Sequence, residues 1–356
     1  MITVFTPSFA DEDNTNAQNL TVKEVVARLD PQRFGVVMLG AGAADPRIAV
    51  RPNTQILKWR KHGNTGRLML RLVTNPPDVY FFPRESSLDA AFLAARGKLT
   101  LKTALVTYVI SGGLENSNRP LIVRAIREAD AVAGNSQWMT ETARRLGGRE
   151  VETVCDGIDR RFYYPPSQDA LSTRANVILY AGSFRPYKRA DLVVREAARF
   201  PPWEFRLAGT GEDEGTCREL ALKANCTNIR FLGHLSAREL GEEMRRAAIF
   251  FFPSELEGHP QVLGQAAACG LPCVARSSYR PDYVVHGVTG LLADSEGDLG
   301  AALGRLCGDH SLRAGMSQAA IAHTAKFEWD DITRQWAGIM EKAIVQRRNI
   351  RQRRVA

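Results

Sequence analysis

Residues 248–276 read AIFFFPSELEGHPQVLGQAAACGLPCVAR, and this stretch decides the fold. An apolar run at 248–254 is followed by small apolar residues at 260–269 and by a second apolar run at 271–276. Short apolar runs on either side of a helical segment are typical of two parallel strands joined by a crossover helix. The small residues at 264–268 lack bulk, so we expect this helix to lie close to its sheet.

The same alternation of β-branched runs and helix-like stretches continues along the whole chain and predicts an α/β protein with parallel sheets. The predicted strands are 2–7, 34–40, 78–83, 103–110, 130–136, 176–182, 204–209, 228–233, 248–254, 271–276 and 290–293. The predicted helices are 17–29, 54–61, 88–97, 119–129, 189–200, 214–224, 236–247, 260–269, 298–307 and 329–348.

A turn-prone and proline-rich stretch separates the two halves. Residues 155–173 read CDGIDRRFYYPPSQDALST, a composition typical of a linker. A chain of 356 residues is also longer than one hydrophobic core usually supports. We therefore predict a first domain at 1–165, a second at 166–328, and a basic tail at 349–356.

The bulk composition is that of a soluble globular protein, with 44% hydrophobic and 24% charged residues. No apolar run approaches the roughly 18 residues that span a bilayer. The first residues lack the basic and apolar regions of an export signal, so we expect a cytoplasmic protein. The six scattered cysteines favour buried small side chains in a reducing compartment over a metal site.

The formal net charge is +8, and part of it lies in two basic stretches. These are the tail QRRNIRQRRVA (346–356) and the segment 57–72, which contains Trp59. Both are candidates for peripheral contact with an anionic membrane surface, although a solvated end and an ordinary amphipathic helix with a loop explain them as well. No nucleic-acid-binding signature accompanies them, so we predict no nucleic-acid partner.

Polar and charged residues gather where the strands of the second half end. These are Arg185 and Lys188, the turn Gly209–Gly211, His234, and Glu257. Ligands of open parallel sheets bind beyond the carboxyl ends of the strands. Taken singly, each loop charge is usually only solvated, but together the two cations and the glycine turn favour a diphosphate.

The helix at 260–269 adds backbone donors to this predicted site. Pro260 suits the first helical position, and Gln261 and Val262 then supply free N–H groups at the positive end of the helix. Gln265 lies one turn further on the same face. Glu257 would repel a phosphate, so its expected target is a neutral hydroxyl, and hydroxyls attached to a diphosphate indicate a sugar nucleotide.

Several motifs of the second half resemble the retaining glycosyltransferases of family 4. RFLGHL, PSELEGHP, ACGLPCV and GVTGLL resemble the family's F-L-G, P-S-x-x-E-G, A-C-G-x-P-V-V and G-x-x-G-x-L motifs. CDGIDRRFYYP resembles its linker, and YAGSFRPYKRADLVV resembles its phosphate loop. The resemblance implies the GT-B fold, in which two Rossmann-like domains flank a cleft and a C-terminal helix, here 329–348, crosses back to the first domain.

The resemblance also implies roles for individual residues. Glu257 corresponds to the first acid of the family's E-x7-E pair and would contact hydroxyls of the transferred sugar, whereas Gln265 stands at the second acid and would contact the ribose. Arg185, Lys188 and Glu257 are the predicted catalytic residues. The predicted donor-binding residues are Gly182, Ser183, Gly209, Gly211, Leu232, Gly258, His259, Gln261, Val262 and Gln265.

The first half resembles the family only in outline. Residues 8–21 replace its glycine-rich loop, although a helix start near 15–18 could still face the donor phosphate, and Tyr108 or Val109 stands where the family often has a histidine. We predict transfer of a sugar from a UDP- or GDP-sugar to a hydroxyl of a saccharide or lipid-linked acceptor, without a metal or other cofactor. Alternatives are a non-catalytic sugar-nucleotide-binding protein, a GT-B epimerase or phosphorylase and, least favoured, a dinucleotide-dependent oxidoreductase.

Overall fold

The computed structural model describes residues 1–13, 17–60, 62–83, 85–98, 102–110 and 119–355. Part of the predicted helix start at 15–18 lies outside these ranges. The chain forms two units, one made of Met1–Asp156 with Trp329–Ala356 and the other of Gly157–Glu328. The second unit begins before the predicted hinge at residue 165 because the linker packs on it: Ile158 N donates to Phe327 O at 2.9 Å, and Tyr163 is buried.

The first unit is a parallel sheet with helices on both faces. Its strands are β1 (Ile2–Phe9), β2 (Phe34–Gly40), β3 (Thr54–Lys58), β4 (Val79–Phe81), β5 (Ala104–Val109), β6 (Ala131–Gly134) and β7 (Val151–Thr153). Its helices are α1 (Ala17–Arg28), α2 (Pro46–Ala49), α3 (Asn64–Thr74), α4 (Ser87–Lys98), α5 (Pro120–Glu128), α6 (Gln137–Arg145) and, at the end of the chain, α14 (Trp329–Val355). The order of the described strands is β3-β2-β1-β4-β5-β6-β7.

Helix α14 covers one face of this sheet and completes its core. Trp336 is fully buried, with its ring centroid 5.0 Å from that of Phe81 on β4 and 4.8 Å from that of Tyr108 on β5. Trp329, Ile332, Ile339 and Met340 belong to the same cluster. The apolar face of this helix explains why the end of the chain returns to the first unit.

The second unit repeats the arrangement. Its strands are β8 (Val177–Ala181), β9 (Glu204–Ala208), β10 (Ile229–Gly233), β11 (Ile249–Phe252), β12 (Cys273–Arg276) and β13 (Gly290–Ala293). Its helices are α7 (Gln168–Ser172), α8 (Ala190–Arg199), α9 (Glu214–Lys223), α10 (Ala237–Arg246), α11 (Gln261–Ala268), α12 (Glu296–Gly308) and α13 (His310–Thr324). The parallel order β10-β9-β8-β11-β12-β13 reverses direction between β8 and β11, which is where open sheets bind ligands.

One predicted element is wrong. Residues 54–61 were expected to be helical, but Thr54–Lys58 is strand β3, which pairs in parallel with β2 from Val36 to Gly40. Pairing with a neighbouring strand outweighs the weak helical spacing of this short segment. The helix of this region is α3, which begins after Gly63.

The other predicted strands and helices are present, with ends shifted by a few residues. The elements that the sequence did not predict are α2, α6, α7, α13, β3 and β7, whereas α3 overlaps the basic stretch 57–72, for which an amphipathic helix was one interpretation. Among the described residues, no helix combines the length and the apolarity that crossing a membrane requires. Cys217, Cys269 and Cys273 are buried, as expected for small core side chains, and burial raises the pKa of each thiol.

Candidate functional site

Two loops meet at the switch point of the second sheet and are joined by hydrogen bonds. The first follows β8 (182–189), and the second follows β11 (253–260). The carbonyl of Tyr187 accepts from the backbone N of Glu255 at 2.8 Å. This backbone hydrogen bond helps to fix the relative position of the two loops.

Lys188 and Glu257 form an ion pair across these loops. Lys188 Nζ lies 2.5 Å from Glu257 Oε1, and Oγ of Ser254 donates to the same oxygen at 2.6 Å. The exposed fractions of the two side chains are only 17% and 11%. The ammonium group also lies 5.3 Å from the ring centroid of Phe252. Two of the three predicted catalytic residues are thus in contact, and the carboxylate holds the ammonium group in place.

Arg185 lies apart from this pair. Its side chain is exposed, and it lines an open pocket together with Ser183, Thr210, Gly211 and other residues of the same two strand ends. A short 3₁₀ turn, Pro186–Lys188, separates Arg185 from Lys188. Arg185 is therefore free to follow a ligand, whereas Lys188 is held.

The glycines of this edge bring three strand ends together. A Cβ atom at Gly209 would lie 1.9 Å from the carbonyl oxygen of Gly182, and one at Gly211 would lie 2.4 Å from that of Phe184. Gly209 also has a φ of 131°, a conformation that favours glycine. Its N–H donates to Gly233 O at 2.7 Å. These glycines hold the loops together, whatever contact they make with a ligand.

Helix α11 begins one residue later than predicted. Pro260 is not the first helical residue but the N-cap, with a ψ of 99°, and its carbonyl accepts from Leu263 N at 3.0 Å. Gln261, Val262 and Gln265 are half-buried, whereas the rest of the helix is buried. The first turn of a helix leaves backbone N–H groups without intrahelical partners, so the amides of Gln261 and Val262 remain candidate phosphate donors.

The remaining predicted donor-binding residues differ in accessibility. The side chain of His259 is fully buried, and its ring centroid lies 4.1 Å from that of Tyr283. Burial lowers the pKa of this imidazole to about 3. Only the backbone of His259 therefore remains a candidate for donor contact. Gly258 and Leu232, at the end of β10, are half-buried.

The structure adds two residues to this region. Arg189 has a left-handed backbone (φ 54°) and forms ion pairs with Asp191 at 2.9 Å, with Glu296 at 2.7 Å and with Glu255 of the second loop. Tyr279 is buried, and burial together with the nearby charge of Glu257 raises the pKa of its hydroxyl. Arg189 follows Lys188 directly in the sequence. The sequence alone therefore could not show that Arg189, and not Lys188, is the cation that pairs with three carboxylates.

In the first unit, Tyr108 is one of the two residues that stand where the family often has a histidine. It is buried, and its hydroxyl donates to Val154 O at 2.7 Å. Its ring packs edge-on against Trp336. Tyr108 is therefore a core residue that ties β5 to the segment after β7.

Known structures identify the class of fold. *Anabaena* HepE in complex with UDP and glucose superposes with a TM-score of 0.76 over 96% of this chain and 100% of that chain, at 17% identity. Sucrose-phosphate synthase from *Thermosynechococcus elongatus* gives 0.77 over 97% and 100%, at 16% identity. The predicted fold class is confirmed: the chain has the α/β architecture of the GT-B glycosyltransferases.

The sequence comparisons then show what the second unit is similar to. Residues 165–323 match the family "Glycosyl transferases group 1", and this segment holds every predicted site residue. D-inositol 3-phosphate glycosyltransferase of *Acidothermus cellulolyticus* is 30% identical over 65% of this chain and 59% of its own length. That of *Mycobacterium tuberculosis* (strain F11) is 29% identical over 65% and 52%. The resemblance to glycosyltransferases is confirmed, although the chain spans little more than half of these relatives.

Proposed function

We propose that this protein transfers a sugar from a nucleoside diphosphate sugar to an acceptor hydroxyl. The observation that carries the proposal is the position of the Lys188–Glu257 pair, which lies at the switch point of the sheet inside the segment that matches the glycosyltransferase family. A cation and a hydroxyl-binding carboxylate at this point suit the two ends of one ligand, its diphosphate and its sugar.

The chemical step follows from the charges at the two loops. The leaving nucleoside diphosphate gains negative charge as the glycosidic bond breaks. Lys188, the exposed Arg185 and the first amides of α11 would stabilise that charge, as hydrogen-bond donors and cations directed at the leaving group do. Glu257 would accept hydrogen bonds from sugar hydroxyls while it orients Lys188. We further propose that these cations make a metal unnecessary and that the anomeric configuration is retained.

The donor and the acceptor are proposed from likeness. HepE was solved with UDP and glucose, so a UDP-sugar is the first donor to test, with GDP-sugars next. The relatives named D-inositol 3-phosphate glycosyltransferase favour a saccharide or a phosphorylated polyol as the acceptor.

Thermal unfolding in the presence of UDP, GDP and their sugars tests donor binding, because a ligand raises the melting temperature of the state that it binds. We expect UDP and at least one UDP-sugar to raise the melting temperature. The double variant R185A/K188A should lose most of this shift, whereas R195A/R334A, which removes two exposed arginines elsewhere, should keep it. Absence of a shift with every uridine and guanosine diphosphate would contradict the proposal.

A second candidate function is donor binding without transfer, and Gln265 favours it because an acid was expected there. Glutamine both donates and accepts hydrogen bonds, so it can still hold a ribose. Incubation with a UDP-sugar and a panel of acceptors distinguishes the two functions. Release of UDP together with a glycosylated product supports transfer, and binding without either supports the second candidate.

We also propose peripheral contact with the cytoplasmic face of an anionic membrane through α3 and the segment before it. Leu70 and Val73 of α3 are exposed, with exposed fractions of 66% and 40%, and Trp59 is also exposed. Arg67 and Arg71 lie on the same helix. Apolar residues interleaved with arginines are the composition of a membrane-surface helix. Vesicle co-sedimentation of W59A/L70A, which should bind anionic vesicles less than the wild type, tests this contact.

A further inference from the structure

A second arginine-rich pocket lies in the first unit, at the amino ends of its strands. It has a volume of about 400 Å³ and lies between the ends of α4 and α5, the segment before β7, and the last turns of α14. Five arginines line it: Arg96, Arg124, Arg127, Arg149 and Arg347. This edge of the sheet is opposite to the carboxyl ends where ligands of such folds usually bind, so the pocket is separate from the expected acceptor site.

Two carboxylates neutralise only part of this charge. Asp130 is buried, pairs with Arg96 and accepts from Leu105 N at 2.8 Å. Glu128 accepts from Nε of Arg124 at 2.7 Å. Among the described residues that line the pocket, these two carboxylates pair with Arg96 and Arg124 and not with Arg127 or Arg149.

Two of the arginines are held inside the protein rather than solvated. Arg96 and Arg347 each have an exposed fraction of only 5%, and both line the pocket. Buried arginines are rare unless they are paired. Arg96 donates through Nη1 to Glu128 O at 2.7 Å, but its buried Nε has no hydrogen-bond partner among the described residues. A buried donor without a partner costs free energy.

The other arginines lie where an anion that enters the pocket from solvent could contact them. Arg127 donates through Nε to Leu146 O at 3.0 Å, a neutral acceptor, and forms no ion pair with a carboxylate that the structure describes. Arg149 is exposed at the rim and forms no ion pair with a described residue. Several planar guanidinium groups line this one cavity. Their paired N–H donors match the geometry of phosphate oxygens.

We propose that this pocket binds a phosphate-bearing anion, either a soluble phosphate ester or the headgroup of an anionic lipid. Its volume falls within the range of small-molecule sites, about 300–1,000 Å³, which is larger than inorganic phosphate alone needs. The proposal does not depend on the donor site, which lies in the other unit.

Calorimetric titration of the full chain with inorganic pyrophosphate tests the pocket. The variant R127A/R149A removes two accessible arginines and leaves the buried Arg96–Asp130 pair intact, so it should fold. R195A/R334A removes the same charge from exposed helix positions elsewhere and is the matched control. Titrations in the R185A/K188A background remove the contribution of the donor site. In that background we expect R127A/R149A to weaken pyrophosphate binding by about ten-fold or more and the control to leave it unchanged.

Co-sedimentation with vesicles that contain phosphatidylglycerol distinguishes the two sources of phosphate. Pyrophosphate binding that depends on Arg127 and Arg149, without vesicle binding that depends on them, assigns the pocket to a soluble ester. Vesicle binding that R127A/R149A weakens also in the W59A/L70A background assigns it to a lipid headgroup. Equal binding of both probes by R127A/R149A and by the control would overturn the proposal, as would no binding of either probe by the wild type.

Discussion

Lys188 forms an ion pair and Arg185 is exposed, so we expect their alanine variants to differ in stability. Arg185 is exposed, so its loss should not change the melting temperature. Lys188 neutralises the largely buried Glu257, so K188A should lower both stability and activity. We expect R185A alone to reduce turnover by about ten-fold, or about 1.4 kcal/mol of transition-state stabilisation. Steady-state kinetics beside thermal unfolding checks this, and a normal rate for R185A would remove Arg185 from the mechanism.

Glu257 has two partners in the structure, and its amide variant separates their effects. E257Q keeps a hydrogen-bond acceptor for Ser254 but removes the charge that faces Lys188. If Glu257 binds sugar hydroxyls, E257Q should weaken transfer much more than it weakens UDP binding. Binding of UDP measured by calorimetry, set beside the rate of transfer, gives the comparison. A loss confined to UDP binding would assign Glu257 only the positioning of Lys188.

The buried imidazole of His259 predicts a pH dependence of stability. Burial lowers its pKa to about 3 in the folded chain, against 6.5 for an unperturbed histidine. Between these values the unfolded chain binds the proton and the folded chain does not, so the free energy of unfolding falls as the pH falls below 6.5. This one group adds a slope of about 1.4 kcal/mol per pH unit. Urea unfolding between about pH 4 and pH 7 should show a shallower pH dependence for H259Q, and identical slopes would contradict the burial of the ring.

At the scale of elements, the loop after β9 depends on Gly209. In G209A the added methyl group would lie 1.9 Å from the Gly182 carbonyl, in a backbone conformation that alanine rarely adopts. We expect a loss of several kcal/mol in stability, of order 2–4 kcal/mol, because both the clash and the strain are present. G215A is the matched control, since a Cβ there meets no atom within 4 Å. Chemical denaturation of the two variants measures the difference in stability. Equal stabilities would mean that the loops after β8 and β9 can move apart to make room for the methyl group.

The sequence predicted the elements better than the contacts between them. Apolar runs such as the one around β11 are buried on both faces, and their length and spacing sufficed to predict them. The prediction for the segment that forms β3 was wrong because its residues are only partly buried and its pairing with β2 is a tertiary interaction. The same limit applies to the site. Lys188 and Glu257 were both predicted from their strand-end positions, but their contact spans 69 positions and depends on how the two loops are joined.

At the scale of the whole molecule, the order of the chain differs from the order of its units. Helix α14 comes after the second unit in sequence but packs in the core of the first. Trp336 on this helix is fully buried among Phe81 and Tyr108, whereas Val345 on the same helix has an exposed fraction of 55%. Stability of the first unit must therefore depend on residues that are synthesised after the second unit.

The variant W336A should therefore unfold the first unit selectively. Replacing a buried tryptophan by alanine costs about 3–5 kcal/mol, and the strands that Trp336 contacts, β4 and β5, should lose protection against hydrogen exchange. Strands β8 and β11 have their own buried core in Gly157–Glu328 and should keep their protection. V345A removes an exposed side chain from the same helix and should leave both units unchanged. Equal loss of protection in both units of W336A would mean that the two units unfold together. Unchanged hydrogen exchange in β4 and β5 would mean that α14 does not stabilise the sheet that it covers.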